Sequence, residues 1–213
     1  MTLKVAYFQP TILAIDDIPA VEFSRMLSLV NDMHSRPEHD DSTHPGLSIR
    51  GGQQIHVYPN PIGIDVLWLV YYLETLCKGY MDIITQQSGK EELKYCKPLI
   101  TSIWTIRQKE GDYQEMHSHP DGHLSGNIYI TAPDIDGDIA NSSDGQILFQ
   151  LPQNKDIRKF VMQDVWKYKP IPGTVIVFPS HVPHTVYPWK GPGYRTVMAF
   201  DAKLVPLDFE PKQ

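Results

Sequence analysis

The stretch GTVIVFPSHVPHTVYPWKGPGYRTVMAFDAKL, residues 173–204, holds three short runs of β-branched and aromatic residues, each closed off by Pro or Gly. Runs of this length and composition, bounded by turn formers, read as strands, because a helix would space its apolar residues every three to four positions. The same texture reaches back to Pro98. LITSIWTIR (99–107), HLSGNIYIT (123–131), GQILFQL (145–151) and KFVMQ (159–163) are equally short and equally interrupted. Many short strands with close turn signals predict a mostly antiparallel sandwich or barrel over about residues 98–205.

Upstream the period changes. VEFSRMLSLVNDM (21–33) sets Phe23, Met26, Leu27 and Val30 at helical spacing shortly after Pro19, which predicts a packing helix. Residues 62–87 carry Leu67, Val70, Tyr71 and Leu73 in a helical pattern, with a break expected near Gly79 that would leave one or two helices. Between them, residues 34–61 are rich in Pro, Gly, His and Asp and read as a long ordered loop with a short strand near 54–58. The acidic insert 134–144 reads as a solvated hairpin. The expectation is an α+β chain, helical over about 1–97 and β over about 98–205, forming a single domain across residues 1–213.

A formal charge of -6 and the absence of a Lys/Arg stripe argue against a broad nucleic-acid footprint, which needs clustered cations to meet phosphates. Cys77 and Cys96 lack CxxC spacing and suit reduced thiols better than a disulfide framework. The opening MTLKVAYFQPTILAIDDIP resembles neither a signal nor a transit peptide, and the apolar run at 66–76 is too short and interrupted to span a bilayer. These features predict a cytoplasmic protein with no membrane partner.

The densest set of potential ligands is HSHPDGH, residues 117–123. In an extended segment positions i and i+2 point to one side, so His117 and His119 converge on one ion. FPSHVPHTV supplies His181 and His184 far along the chain, just after an apolar strand. Two histidines and a third ligand on one face are what a non-haem iron site requires, with the other positions open to a chelating cosubstrate and dioxygen. Arg195 lies in the next strand, and a dicarboxylate cosubstrate needs a buried guanidinium for its far carboxylate. Alternation puts Ser125, Asn127 and Tyr129 on one face, so Asn127 and Tyr129 are candidates to bond the same carboxylate.

Taken together, GDYQEMHSHPDGHLSGNIYI (111–130), PGTVIVFPSHVPHTV (172–186) and GYRTVMAFD (193–201) resemble a family of 2-oxoglutarate-Fe(II) oxygenases from bacteria and phages. Its members carry a Gly-Asp turn, an H-x-H-P segment, a Ser-Gly-x-x-Tyr strand, a Phe-Pro-Ser before the last histidine, and a later arginine. The resemblance continues less clearly upstream through SIRGGQQ and so covers about residues 45–203. It implies a double-stranded β-helix, or jelly-roll barrel, with His117, His119 and His184 as the metal ligands and Arg195 as the 2-oxoglutarate anchor. It also implies Fe(II) as the metal, 2-oxoglutarate and O2 as small-molecule cosubstrates, and hydroxylation of a further substrate with release of succinate and CO2.

Two departures stand out. The wider superfamily has His-x-Asp or His-x-Glu where this chain has His-Ser-His, and ligation by His119, Asp121 and His184 is the alternative that would restore a carboxylate. Val197 stands where many relatives place Ser or Thr.

The plainer readings are that His123 and His181 orient neighbours or meet solvent, and that the histidines at 34, 39, 44 and 56 belong to a solvated loop. Arg195 as a structural ion-pair residue would bury a charge at a cost of several kcal/mol unless a carboxylate meets it. A cupin-type dioxygenase or isomerase is the rival enzyme class. Gly111 followed by His-Ser-His resembles the first cupin motif, and Gly173, Pro179 and His184 resemble the second. The glutamate that the first motif calls for is replaced by His123 and Leu124, however, and Arg195 would have no task. A non-catalytic jelly-roll binding protein is the third reading.

Overall fold

Period-two alternation decides how the β half folds, and the computed structural model, which describes residues 11–36, 40, 47–59, 65–135, 143–150 and 165–208, shows two antiparallel sheets. In chain order the strands are β1 (Ala14–Asp17), β2 (Ile49–Arg50), β3 (Gln53–Tyr58), β4 (Cys96–Gln108), β5 (Tyr113–His117) and β6 (Leu124–Thr131). They continue with β7 (Ile147–Gln150), β8 (Val165–Tyr168), β9 (Thr174–Pro179), β10 (His184–Val186) and β11 (Arg195–Pro206). The larger sheet runs β1-β9-β6-β11-β4-β3 and the smaller β2-β5-β10-β7-β8. Together they make the double-stranded β-helix that the resemblance implies, with two helices added.

The central strands of the larger sheet are covered on both faces, one by the helices and the other by the smaller sheet. Leu124, Ile128 and Ile130 of β6, with Met198, Phe200 and Ala202 of β11, pack against the helices. Tyr129, Val197, Ile106, Ile176 and Phe178 point the other way and meet Ile147, Phe149 and Val186 of the smaller sheet. The second cluster is the barrel interior. Gly126 is required here, since a Cβ would fall 2.2 Å from Cζ of Phe200, whose ring lies across β6.

The helices cover the outer face. In α1 (Ala20–His34), Met26, Leu29, Val30 and Met33 are buried; in α2 (Leu67–Ser88), Leu69, Leu73, Cys77, Tyr80 and Met81 are. Burying each large apolar side chain contributes about 1.5–3 kcal/mol, which holds the helices to the sheet. Contrary to the expectation from sequence, α2 runs through Gly79 without a break. It stops at Gly89, whose φ of 65° and N–H to the Thr85 carbonyl form a left-handed cap. One internal glycine costs about 1 kcal/mol, too little to break a helix with this much buried surface. Nothing lies within 4 Å of a Cβ built at Gly79. Gly79→Ala is therefore expected to raise stability by about 0.5–1 kcal/mol, read as an upward shift of the urea midpoint with unchanged slope.

The expected division near residue 97 does not hold in space. β1 pairs with β9, β2 with β5 and β3 with β4, so the N-terminal half supplies three strands. The first two, AIDD and IR, are edge strands too short and polar to show alternation. β5 (YQEMH) and β8 (VWKY) also carry no apolar run, and they too escaped the sequence reading. KFVMQ, His39, His44 and most of the acidic insert lie outside the described residues. Among the described residues no helix is long and apolar enough to cross a membrane.

Candidate functional site

Pairing of β5 with β10 puts His117, the last residue of one, directly opposite His184, the first residue of the other. Directly opposed residues carry their side chains on the same side of the sheet, and the two ring centroids are 4.3 Å apart. His119 lies two residues beyond the end of β5 and is held by its backbone, whose N–H donates to the Ser180 carbonyl at 2.8 Å. The chain then turns at Pro120 and Asp121. The Ser180 hydroxyl donates to the Gly122 carbonyl at 2.6 Å, and the His123 N–H to the Ala202 carbonyl at 2.8 Å. The Phe-Pro-Ser segment thus clamps the His-Pro-Asp-Gly turn. The His119 ring sits 5.2 Å from each of the other two rings. One ring nitrogen from each histidine falls within 4.8 Å of the others, the only such group of metal-ligating side chains among the described residues. Asp121 is in the exposed turn, outside this group.

Hydrogen bonds set the tautomers. Nδ1 of His117 is 2.7 Å from the Glu115 carbonyl, and Nδ1 of His184 is 2.9 Å from the Val182 carbonyl. A carbonyl only accepts, so in both rings Nδ1 carries the proton and the neutral imidazole keeps a lone pair on Nε2. Nδ1 of His119 faces the Asp201 carboxylate at 3.1 Å, with the same consequence. Burial among Phe149 and Phe178 pushes the His184 pKa down to about 3, with the nearby His117 adding to the shift. Burial also lowers the pKa of His117, against the opposing pull of the Glu115 carbonyl. Neutral imidazole is the form a metal ion takes up. Trp104 stacks on His119, centroids 5.5 Å apart.

Sequence reasoning missed Asp201. It follows from counting by two along β11, since Arg195, Val197, Ala199 and Asp201 share the face turned into the barrel. Its Oδ1 accepts the Ser125 hydroxyl at 2.5 Å, so Ser125, expected on the same face as Asn127 and Tyr129, has a partner.

Arg195 starts β11 and is 2% exposed. Its Nη2 donates to Oε1 of Gln108, its cross-strand partner, whereas Nε and Nη1 are buried with no acceptor among the described residues. The Tyr129 hydroxyl is likewise buried and without a partner. Burial drives the Tyr129 hydroxyl upward and the Arg195 guanidinium down to about 10, still a cation at neutral pH. Each of these two groups feels the other's charge. Two guanidinium N–H groups and one phenol O–H fit the oxygens of a carboxylate. Asn127 is half-buried on the same face, between Ala199 and Ile176 in the register, and Val197 lies in the apolar interior.

The remaining histidines do other things. His123 is exposed, and its Nδ1 accepts the Leu204 N–H at 2.8 Å; His181 is exposed as well. His34 is not part of a solvated loop: it ends α1, is buried, and has its pKa lowered to about 4 by that burial and then by Arg107. His56 is half-buried on β3.

Residues 102–201 match the profile of a protein family described as "Putative 2OG-Fe(II) oxygenase". No curated protein matches the chain. Among solved structures it is similar to a prolyl-4-hydroxylase from Pseudomonas putida, at 17% identity and TM-score 0.58, covering 91% of this chain and 93% of that one. It is similar to a Trichoplax adhaerens prolyl hydroxylase in complex with a hypoxia inducible factor peptide fragment, at 15% identity and TM-score 0.59, covering 90% and 83%. It is also similar to HygX from Streptomyces hygroscopicus, solved with nickel and 2-oxoglutarate bound, at 11% identity and TM-score 0.58, covering 93% and 84%. At these identities the structural likenesses establish the fold.

Proposed function

We propose that this chain, whose residues 102–201 match a family profile described as 2OG-Fe(II) oxygenase, is an iron- and 2-oxoglutarate-dependent dioxygenase in which His117, His119 and His184 hold the metal and Arg195 with Tyr129 holds the far carboxylate of 2-oxoglutarate. When bound there, iron with 2-oxoglutarate and O2 would supply the oxidising power to hydroxylate a C–H bond of a primary substrate, with succinate and CO2 as the co-products.

The chain's own residues do the rest. Carbonyls of Glu115 and Val182 keep the protons of His117 and His184 on Nδ1, so both rings meet the metal through Nε2. Arg195 fixes the cosubstrate's orientation by a forked pair of charge-assisted hydrogen bonds, and Tyr129 adds a third donor, which supplies what a hydroxyl at position 197 would give. Asn127, on the same face, bonds along the cosubstrate's length. Phe149, Phe178, Ile176 and Val197 exclude water from the reacting groups. Helices and sheet share one apolar cluster, which supports a single domain spanning the chain. The net charge and the free thiols of Cys77 and Cys96 fit a cytoplasmic protein. The primary substrate is a second molecule entering beside Trp104; neighbours named prolyl hydroxylases make peptides the first class to screen.

The observation that carries this reading is the buried guanidinium, two of whose nitrogens have no acceptor among the described residues, on the same barrel face as the residue that touches the histidine cluster. Anaerobic addition of 2-oxoglutarate to the Fe(II)-loaded protein is expected to produce a visible iron-to-ketoacid charge-transfer band that saturates at one equivalent. Metal binding without that band would favour the cupin reading, and no metal binding at all would favour the non-catalytic binder.

A further inference from the structure

Three neutral imidazoles leave a divalent ion with its full charge, in surroundings formed by Phe149, Phe178 and Trp104. Charge in such a place is costly unless an opposite charge is near. Among the described residues, the carboxylate that touches the cluster is Asp201. Both of its oxygens are 3.1 Å from Nδ1 of His119, and its side chain is 15% exposed. Oδ1 is also pinned by the Ser125 hydroxyl, so the carboxylate is committed to its two donors and is not free to ligate a metal itself. The pairing of β11 with β4 shifts register between Asp201 and Ala202, an irregularity of the kind that re-aims a side chain beside a site. His117 and His184 are oriented by backbone carbonyls, which bring no net charge; only His119 is oriented by a charged side chain.

We propose that Asp201 is a positioning residue that completes the metal centre through His119. It accepts the Nδ1 proton, aims Nε2 at the metal, and supplies at one remove the negative charge that a carboxylate ligand would supply directly. This rests on His117, His119 and His184 being the metal ligands. A His-x-His pair can then stand where related enzymes carry His-x-Asp, because the missing carboxylate is provided by a distant strand.

The test uses Co(II) titration of the metal-free full chain, the energy of the Fe(II)–2-oxoglutarate band, and melting temperature as a check of folding. Asp201→Asn is expected to weaken Co(II) binding by about 10–100-fold, the usual worth of a partner behind a histidine ligand. It should also move the charge-transfer band to higher energy, because a ring that donates less leaves the iron poorer in electrons. Ser125→Ala loosens the carboxylate but keeps its charge. It should cost only a few-fold in affinity with the band unmoved, and it carries the test if Asp201→Asn fails to fold. In a His119→Ala background the Asp201→Asn effect should vanish, which a purely structural role would not produce. Co(II) affinity within about twofold of wild type in whichever variant folds, or an equal loss with and without His119, overturns the proposal. A wild-type chain that binds no Co(II) removes the metal centre itself, and this inference with it.

Discussion

Arg195→Met should melt at a higher temperature than the wild-type chain when no ligand is present, and should gain nothing when 2-oxoglutarate is added to the metal-loaded protein. The first half follows from desolvation. Among the described residues the buried wild-type guanidinium meets the neutral Gln108 amide and no carboxylate, and replacing such a buried charge by an apolar side chain of similar length removes a penalty of several kcal/mol. The second half follows from linkage. Ligand at 100 times its dissociation constant stabilises the folded state by about 2.7 kcal/mol, and that gain disappears with the binding. Truncating one partner of a buried, hydrogen-bonded charge pair costs about 2–5 kcal/mol, or about 30- to 5,000-fold in 2-oxoglutarate affinity. Arg195→Lys keeps the charge but not the fork and should fall between the two. Calorimetry with and without cosubstrate, together with the KM for 2-oxoglutarate, reads both halves. A Met variant that still responds to 2-oxoglutarate as the wild type does would remove Arg195 from the site.

The second large effect belongs to His184. His184→Leu should reduce divalent-metal affinity by more than about 100-fold, since even partners behind the ligands are worth about 10–100-fold. It should leave the metal-free fold intact, because the ring already lies against Phe149 and Phe178. The pH dependence has a definite sign. His184 titrates near 6.5 when unfolded and at about 3 when folded, so between those values the unfolded chain binds a proton that the folded chain refuses. Stability from the neutral ring is complete above pH 6.5 and drains away as pH falls through that window. The wild-type metal-free protein should therefore lose stability on acidification more steeply than His184→Leu, by up to about 1.4 kcal/mol per pH unit for this one proton. Urea midpoints of both proteins between pH 7 and pH 4 check this. An equally steep acid limb in the variant would mean that His184 is solvated in the folded chain.

Much of this could be read in the chain alone, because it rests on local chemistry. Short β-branched and aromatic runs between turn formers located the long central strands, helical spacing located α1, and the residue types of His117, His119 and His184 picked out a group that the fold does bring together. Errors came where a local rule meets a packed environment. Gly79 reads as a breaker, yet α2 passes through it because buried surface outweighs a cost of about 1 kcal/mol.

What only tertiary structure decided is which groups face one another. β1 and β2 are too short and polar to signal themselves, and they become strands because a sheet edge is there to pair with. Asp201 is one more acidic residue in a strand until β11 carries it past the turn that holds His119. The tautomers of the histidines depend on carbonyls whose positions the folded backbone sets, and the isolation of Arg195 depends on strands that close around it. Residue type determines what a side chain is able to bind; the fold determines what it is offered, because hydrogen bonds and desolvation act over a few ångströms in space whatever the separation along the chain.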